Sequence, residues 1–242
     1  MSTLLSISGL QKSYGAVVVA DTTSFDVAKG EAVGILGPNG AGKTSLFNLI
    51  TGTLPSDAGQ ILFQDQNITK TSAAARCKMG IARSFQIPQP FGGMTVFENA
   101  LVGATQGAGL TGAAAEQHAL SVLEETGLLS KANARAGSLT LLERKRLELT
   151  RALAAKPQLL LLDEIAGGLT EAECRSLIET IQNIYASGTT IIWIEHVVHA
   201  LLAVVERLIV IDFGKMIAEG DPRTIMESPE VKEIYLGVDP DV

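Results

Sequence analysis

Residues 37–44 read Gly-Pro-Asn-Gly-Ala-Gly-Lys-Thr. They follow the continuous apolar run Ala32–Leu36 and precede a segment with Leu46, Leu49 and Ile50 on one helical face. Strand, glycine loop and helix in this order fit G-x-x-x-x-G-K-[ST] in the context that makes the pattern meaningful. Gly37, Gly40 and Gly42 let the backbone curl, so that successive N–H groups point inward around anionic oxygens. The helix N-terminus adds partial positive charge. Lys43 is expected to reach the β- and γ-phosphates of a nucleotide, and Thr44 to offer its hydroxyl to Mg²⁺. The chemistry therefore demands a parallel α/β sheet, because the loop has to spring from the end of a buried strand.

The remaining pattern agrees with that demand. Short strands are expected at Leu4–Leu10, Val17–Ala20, Thr23–Val27 and Ile61–Phe63, with a turn at residues 28–31. Further strands are expected at Leu159–Leu162, Thr190–Ile194 and Leu208–Ile211, the last turning at residues 212–215 into a hairpin with Met216–Ala218. A helix fits Glu171–Ala186. Residues from about 87 to 155 differ, with Gly- and Ala-rich stretches and helical patterns around Ala114–Thr126 and Glu143–Ala155. The expected architecture is one α/β domain over 1–242, interrupted by a helical subdomain.

Composition narrows the partners. The 242 residues are 46% hydrophobic and 19% charged, which excludes a disordered chain. With 19 Lys and Arg against 26 Asp and Glu, the net charge of -7 argues against nucleic acid as a ligand. Two cysteines, Cys77 and Cys174, build no disulfide framework and suit a reducing compartment. The opening MSTLLSISGL lacks the basic and long apolar regions of a secretory signal. Runs such as Leu159–Leu162 fall far short of the roughly 20 apolar residues that span a bilayer. The mean hydropathy of +0.27 is then the mark of a buried sheet or of an apolar docking face.

Several side chains join the loop as candidates. Leu159–Leu162 ends in Asp163-Glu164, and acids at the carboxyl end of a strand belong beside the phosphates. Asp163 would hold the Mg²⁺ shell through water, and Glu164 would point toward the attacking water. The same pair would also serve as an N-cap for the next helix. Thr190–Ile194 ends in Glu195-His196, where His196 is either a γ-phosphate contact or a surface histidine. Tyr14 is either a stacking ring for adenine or ordinary packing. Gln86 carries no meaning alone.

Taken together and in this order, these residues resemble the ATP-binding subunits of ABC transporters, over essentially the whole chain. The resemblance matches Gly37–Thr44, extended to Ser45, with the Walker A loop, and so implicates Pro38, Asn39 and Ala41 as well. It places Asp163 at the end of the Walker B strand, Glu164 on the catalytic glutamate, Gln86 on a Q-loop glutamine near Mg²⁺, His196 on the switch histidine and Tyr14 on the adenine-stacking aromatic. It implies a P-loop NTPase fold with a RecA-like sheet core, N-terminal antiparallel strands and an inserted helical subdomain. It also implies ATP and Mg²⁺ as ligands, and a second ATP-binding subunit and transmembrane permease subunits as partners. A periplasmic binding protein would act indirectly, and the location would be peripheral, at the cytoplasmic face of a bacterial inner membrane. Two rivals stand beside this reading: soluble ABC ATPases of DNA repair or ribosomes, which tend to carry long coiled-coil insertions or tandem cassettes, and a P-loop small-molecule kinase, which would not require the signature, switch histidine and Q-loop together.

Finer features are similar to subunits of branched-chain amino acid uptake systems: Ser84-Phe85-Gln86, Met94–Asn99, Val102-Gly103, Ile217–Gly220, Glu195-His196 and Glu233–Gly237. Urea or amide importers and the lipopolysaccharide-export ATPase share this branch. The family signature Leu-Ser-Gly-Gly-Gln aligns with Leu139-Thr140-Leu141-Leu142-Glu143, so Thr140 keeps a hydroxyl for nucleotide while both glycines are leucine. Arg146 and Arg151-Ala152-Leu153 follow regularly, whereas Ile165 replaces a proline and Thr170 ends the D-loop match. The departures imply a weakened signature, in the extreme a nucleotide-gated subunit with little hydrolysis.

Overall fold

The structure is a computed structural model, described for residues 2–236 and, within Ile234–Leu236, for the backbone only. Glu233–Gly237 therefore lies partly outside the described residues. In chain order the first elements are β1 (Thr3–Tyr14), β2 (Val17–Ala28), β3 (Ala32–Leu36), α1 (Lys43–Thr51), β4 (Ala58–Phe63), β5 (Gln66–Asn67) and α2 (Ala73–Lys78). Then come β6 (Ile81–Arg83), α3 (Val96–Val102), a π-turn at Gly103–Gly107, α4 (Gly112–Glu125), α5 (Leu141–Ala154), β7 (Leu159–Asp163) and α6 (Glu171–Ala186). The chain continues with β8 (Thr190–Ile194), α7 (Val198–Leu202), β9 (Arg207–Asp212), β10 (Lys215–Gly220), α8 (Pro222–Glu227) and α9 (Pro229–Leu236).

Two compact units result: Met1–Ala73 with Thr190–Val242, and Ala74–Thr189. In the first, β2-β1-β4-β5 form an antiparallel sheet, and a second sheet has the order β10-β9-β3-β8, with β3 parallel to both β8 and β9. Every residue of β3 and β8 is buried, as parallel strands covered on both faces require. β1 buries Leu4, Leu5, Ile7 and Leu10, while its pairing register with β2 shifts between Ile7 and Leu10. The two stretches Val17–Ala20 and Thr23–Val27 are one strand, β2, with Thr22 at φ +58 inside it and shifts of register along its pairing with β1. That irregularity is anchored, since Asp21 N and Thr23 Oγ1 both donate to Gly214 O, at 2.8 and 3.2 Å. Arg207 gathers the unit's charged groups. Its guanidinium donates to Glu31 at 2.6 and 2.9 Å, to the Asp26 carbonyl at 2.6 Å and to Glu219.

In the second unit β6 runs parallel to β7, pairing Ile81–Arg83 with Leu159–Leu161. All five residues of β7 are buried, each leucine contributing about 1.5–3 kcal/mol by leaving water. The helical segment has a core of its own, in which Val96, Ala100, Leu123, Leu128, Leu139 and Leu147 are almost fully enclosed. Its helices start where the side chains dictate. Thr95 with Glu98, Thr140 with Glu143 and Thr170 with Glu173 each form a reciprocal capping box at the N-termini of α3, α5 and α6. Cys174 is buried in α6 and Cys77 half-buried in α2, and burial pushes the Cys77 thiol up from its ordinary range.

Candidate functional site

The first unit builds the phosphate loop. A Cβ on Gly37 would sit 2.2 Å from the Ile211 carbonyl oxygen, so only glycine lets the chain leave β3 over β9. Gly40 and Gly42 hold φ values of +85 and +101, which turn the loop back into α1. Gly42 is the N-cap of α1, and no side chain caps that terminus. The loop is closed by backbone bonds from Ala41 N to Pro38 O at 3.2 Å and from Gly214 N to Ala41 O at 2.9 Å. Lys43, only 5% exposed, folds its ammonium over the loop, donating to Gly37 O at 2.7 Å and Pro38 O at 2.9 Å. Asn39 and Thr44 are exposed, and Ser45 is half-buried.

Two further candidates lie in this unit. At the end of β8 the buried Glu195 carboxylate accepts from the main-chain N–H of His196 at 3.1 Å and of Val197 at 3.4 Å. It thus shapes the turn that presents the exposed His196. Tyr14, at the end of β1, is 55% exposed. The Lys12 ammonium lies 5.5 Å from its ring centroid and is held there by Asp57 at 2.7 Å.

The second unit carries the acids. Asp163 and Glu164 do not cap the next helix, since Thr170 does that for α6. They are gripped instead by the end of β6 and the residues that follow it. Arg83 Nη2 donates to Asp163 Oδ2 at 2.5 Å, the Ser84 hydroxyl accepts from Asp163 N at 3.4 Å, and Gln86 Nε2 donates to Glu164 Oε2. Lys145 reaches the Glu164 carbonyl at 3.4 Å. Glu164 adopts φ +48, a left-handed conformation costing roughly 1–2 kcal/mol for a residue with a Cβ. The two neighbouring acids have different partners, Arg83 for Asp163 and Gln86 for Glu164. Asp163 Oδ1 is buried without a hydrogen-bond partner. An enclosed carboxylate oxygen of this kind suits a hard divalent cation or its bound water. No group of three or more His, Cys, Asp or Glu side chains is placed to hold a metal among the described residues.

The altered signature is a helix start. Thr140 Oγ1 accepts from Glu143 N at 3.3 Å, and Thr140 N donates to Glu143 Oε2 at 2.9 Å. That bond, with Lys131 at 3.3 Å from the other carboxylate oxygen, holds Glu143 below the usual carboxylate range. Its charge is engaged locally instead of projecting as a lone anion. Leu141 is 44% exposed and Leu142 half-buried. The first unit thus contains Tyr14, residues 37–45 and His196, and the second contains Gln86, Thr140, Asp163 and Glu164. Arg83 and Glu195 were not expected as site residues from the sequence, because each acts through a neighbour, Arg83 on Asp163 and Glu195 on the turn at His196.

The glycine loop between β3 and α1, on this fold, belongs to an ATP-hydrolysing cassette of the P-loop class. Solved structures bear this out. A nucleotide-free ATP-binding cassette from an ABC transporter superposes with a TM-score of 0.88 at 31% identity, covering 98% of this chain and 100% of the other. The ADP conformation of such a cassette gives the same values. The family model for ABC transporters matches residues 20–167, and this chain belongs to that family as an ATP-binding subunit. The model for branched-chain amino acid ATP-binding cassette transporters matches residues 215–241. The high-affinity branched-chain amino acid transport ATP-binding protein LivG of Escherichia coli (strain K12) is 34% identical, over 97% of this chain and 98% of that protein. The lipopolysaccharide export system ATP-binding protein LptB of the same strain is also 34% identical, over the same shares.

Proposed function

We propose that this subunit powers an importer of branched-chain or other amino acids. The observation that carries the reading is the match of residues 215–241 to the branched-chain cassette model, beside a relative of that type along nearly the whole chain. The phosphate loop from Gly37 to Ser45 binds the triphosphate through its main-chain N–H groups, and the Lys43 ammonium exchanges its carbonyl partners for β- and γ-phosphate oxygens. Tyr14 stacks on the adenine. Thr44, Gln86 and Asp163 are the residues that would hold Mg²⁺, which when bound neutralises charge on the phosphates. Glu164 orients the attacking water and takes its proton, and His196 with Lys43 stabilises charge on the transferred phosphoryl group.

In this reading a second ATP-binding subunit presents its segment corresponding to Thr140 across the nucleotide. The helical segment of residues 87–155 docks on transmembrane permease subunits at the cytoplasmic face, with Ile87 and Phe91 exposed for the purpose. A periplasmic binding protein delivers cargo indirectly. No helix among the described residues is long and apolar enough to cross a membrane. The deciding experiment removes this chain from its host and follows uptake of labelled leucine, isoleucine and valine. The expected result is loss of that uptake, restored by the wild-type chain. Unchanged uptake with defective lipopolysaccharide export would replace the reading with the LptB-like one, and loss of urea or amide uptake with the other.

A second reading rests on Leu141 and Leu142. The exposed leucine and the tied-down Glu143 offer nucleotide fewer close backbone approaches than glycines would, so the trans site is weak and hydrolysis slow. Replacing both, as Leu141→Gly with Leu142→Gly, is expected to raise steady-state ATPase of the reconstituted transporter about tenfold, an activation difference of about 1.4 kcal/mol. The capping box is retained in that variant. An unchanged rate and ATP affinity would show the leucines to be benign.

A further inference from the structure

The ion pair between Arg83 and Asp163 joins the ends of the paired strands β6 and β7. Both side chains are enclosed, 6% and 3% exposed, and lie 2.5 Å apart. The guanidinium is also stacked 5.1 Å from the centroid of the Phe85 ring, so it is held from two sides. It reaches only Oδ2 of Asp163, while Oδ1 remains buried without a hydrogen-bond partner. One carboxylate therefore shows two different oxygens, one neutralised from within the unit and one prepared for something else. An enclosed charge without compensation is costly, and a guanidinium beside it also cancels most of its pull on a second cation.

We infer that Arg83 is a positioning residue that acts as the resident counter-ion of Asp163. It holds the carboxylate in place between nucleotide-binding events and suppresses binding of a divalent cation to that carboxylate alone. The cation is then retained only when triphosphate oxygens add their negative charge to the site. Arg83 acts through Asp163 and touches neither nucleotide nor water. The inference rests on the ATP-site reading above and adds to it a rule of order: metal arrives with the nucleotide and not before it.

The test is a titration of the purified subunit with Mn²⁺ alone, read by electron paramagnetic resonance. Wild-type protein is expected to bind Mn²⁺ no more tightly than about millimolar, whereas Arg83→Gln binds it at least about tenfold more tightly through the uncovered carboxylate. That gain is expected to vanish when Asp163→Asn is added. Arg83→Lys, which keeps the charge, is expected to stay within about threefold of wild type. Equal Mn²⁺ affinity in wild type and Arg83→Gln overturns the inference, as does a Lys variant that behaves like the Gln one. Should Arg83→Gln fail to fold, the wild-type titration still decides: micromolar Mn²⁺ binding abolished by Asp163→Asn overturns it. Binding of a fluorescent ATP analogue by the wild type separates the two levels. Its absence removes the ATP-site reading, whereas normal nucleotide binding with unmoved Mn²⁺ affinity removes only the role given to Arg83.

Discussion

Glu164→Gln is expected to bind ATP within about threefold of wild type and to hydrolyse it roughly 10²–10⁴-fold more slowly, the usual contribution of a positioned general base. The substitution is unusually clean here. Gln86 Nε2 donates to Glu164 Oε2, and a glutamine at 164 retains a carbonyl oxygen to accept that bond. Lys145 donates to the main-chain carbonyl of Glu164 at 3.4 Å, a bond the substitution leaves alone. The left-handed backbone at φ +48 carries Gln at the same cost as Glu. What disappears is the ability to take a proton from water. Release of inorganic phosphate measured beside binding of a fluorescent ATP analogue gives both numbers. Near-normal turnover would assign the base elsewhere, and lost binding would mean that Glu164 serves the ground state.

Gly42→Ala is expected to lower stability by about 2–3 kcal/mol and to abolish measurable ATP binding. Two independent penalties coincide at this position. The backbone at φ +101 is one that alanine adopts only under strain, and the new Cβ would meet the Val19 carbonyl oxygen at 2.3 Å. The obstacle is main chain of β2, so it has no rotamer by which to move aside. Gly42 also caps α1 and accepts from Leu46 N at 2.8 Å, so relief of the clash displaces the N-terminus of α1, where the proposed phosphate site lies. Chemical denaturation and nucleotide titration test the two halves separately. By contrast, a Cβ at Gly40 meets nothing within 4 Å, so Gly40→Ala carries only the backbone strain at φ +85. Equal effects at the two positions would sink the steric part of the argument.

What could be read before folding follows from how local the physics is. The phosphate loop was legible because its glycines answer to backbone torsion, which each residue settles for itself. The leucine run of β7 and the pattern of α6 were legible because burial of one strand or one helical face repeats at short range. β6 was missed because its three residues, Ile81–Arg83, make a strand only once Leu159–Leu161 lie alongside. Arg83 was missed for the same reason, since its partner is 80 positions away. The start of α5 shows a different failure. Thr140-Leu141-Leu142-Glu143 spells a capping box, yet alignment to the signature drew attention to the two leucines and away from the spacing of Thr and Glu.

The order of elements has a consequence for how the chain is made. β3 leaves the ribosome early, but its neighbours are β8 and β9, so Ala32 must find Ile191 and Val33 must find Arg207. At ordinary synthesis rates that wait is about 10–30 s, during which an all-apolar strand and the glycine loop behind it have no parallel partner. The second unit is continuous in sequence and completes first, while the first unit closes only after the last strands emerge. Such long-range pairing makes folding slow and leaves sticky segments exposed. A nascent chain arrested before residue 190 should therefore hold a folded helical unit beside a nucleotide loop that has not yet formed.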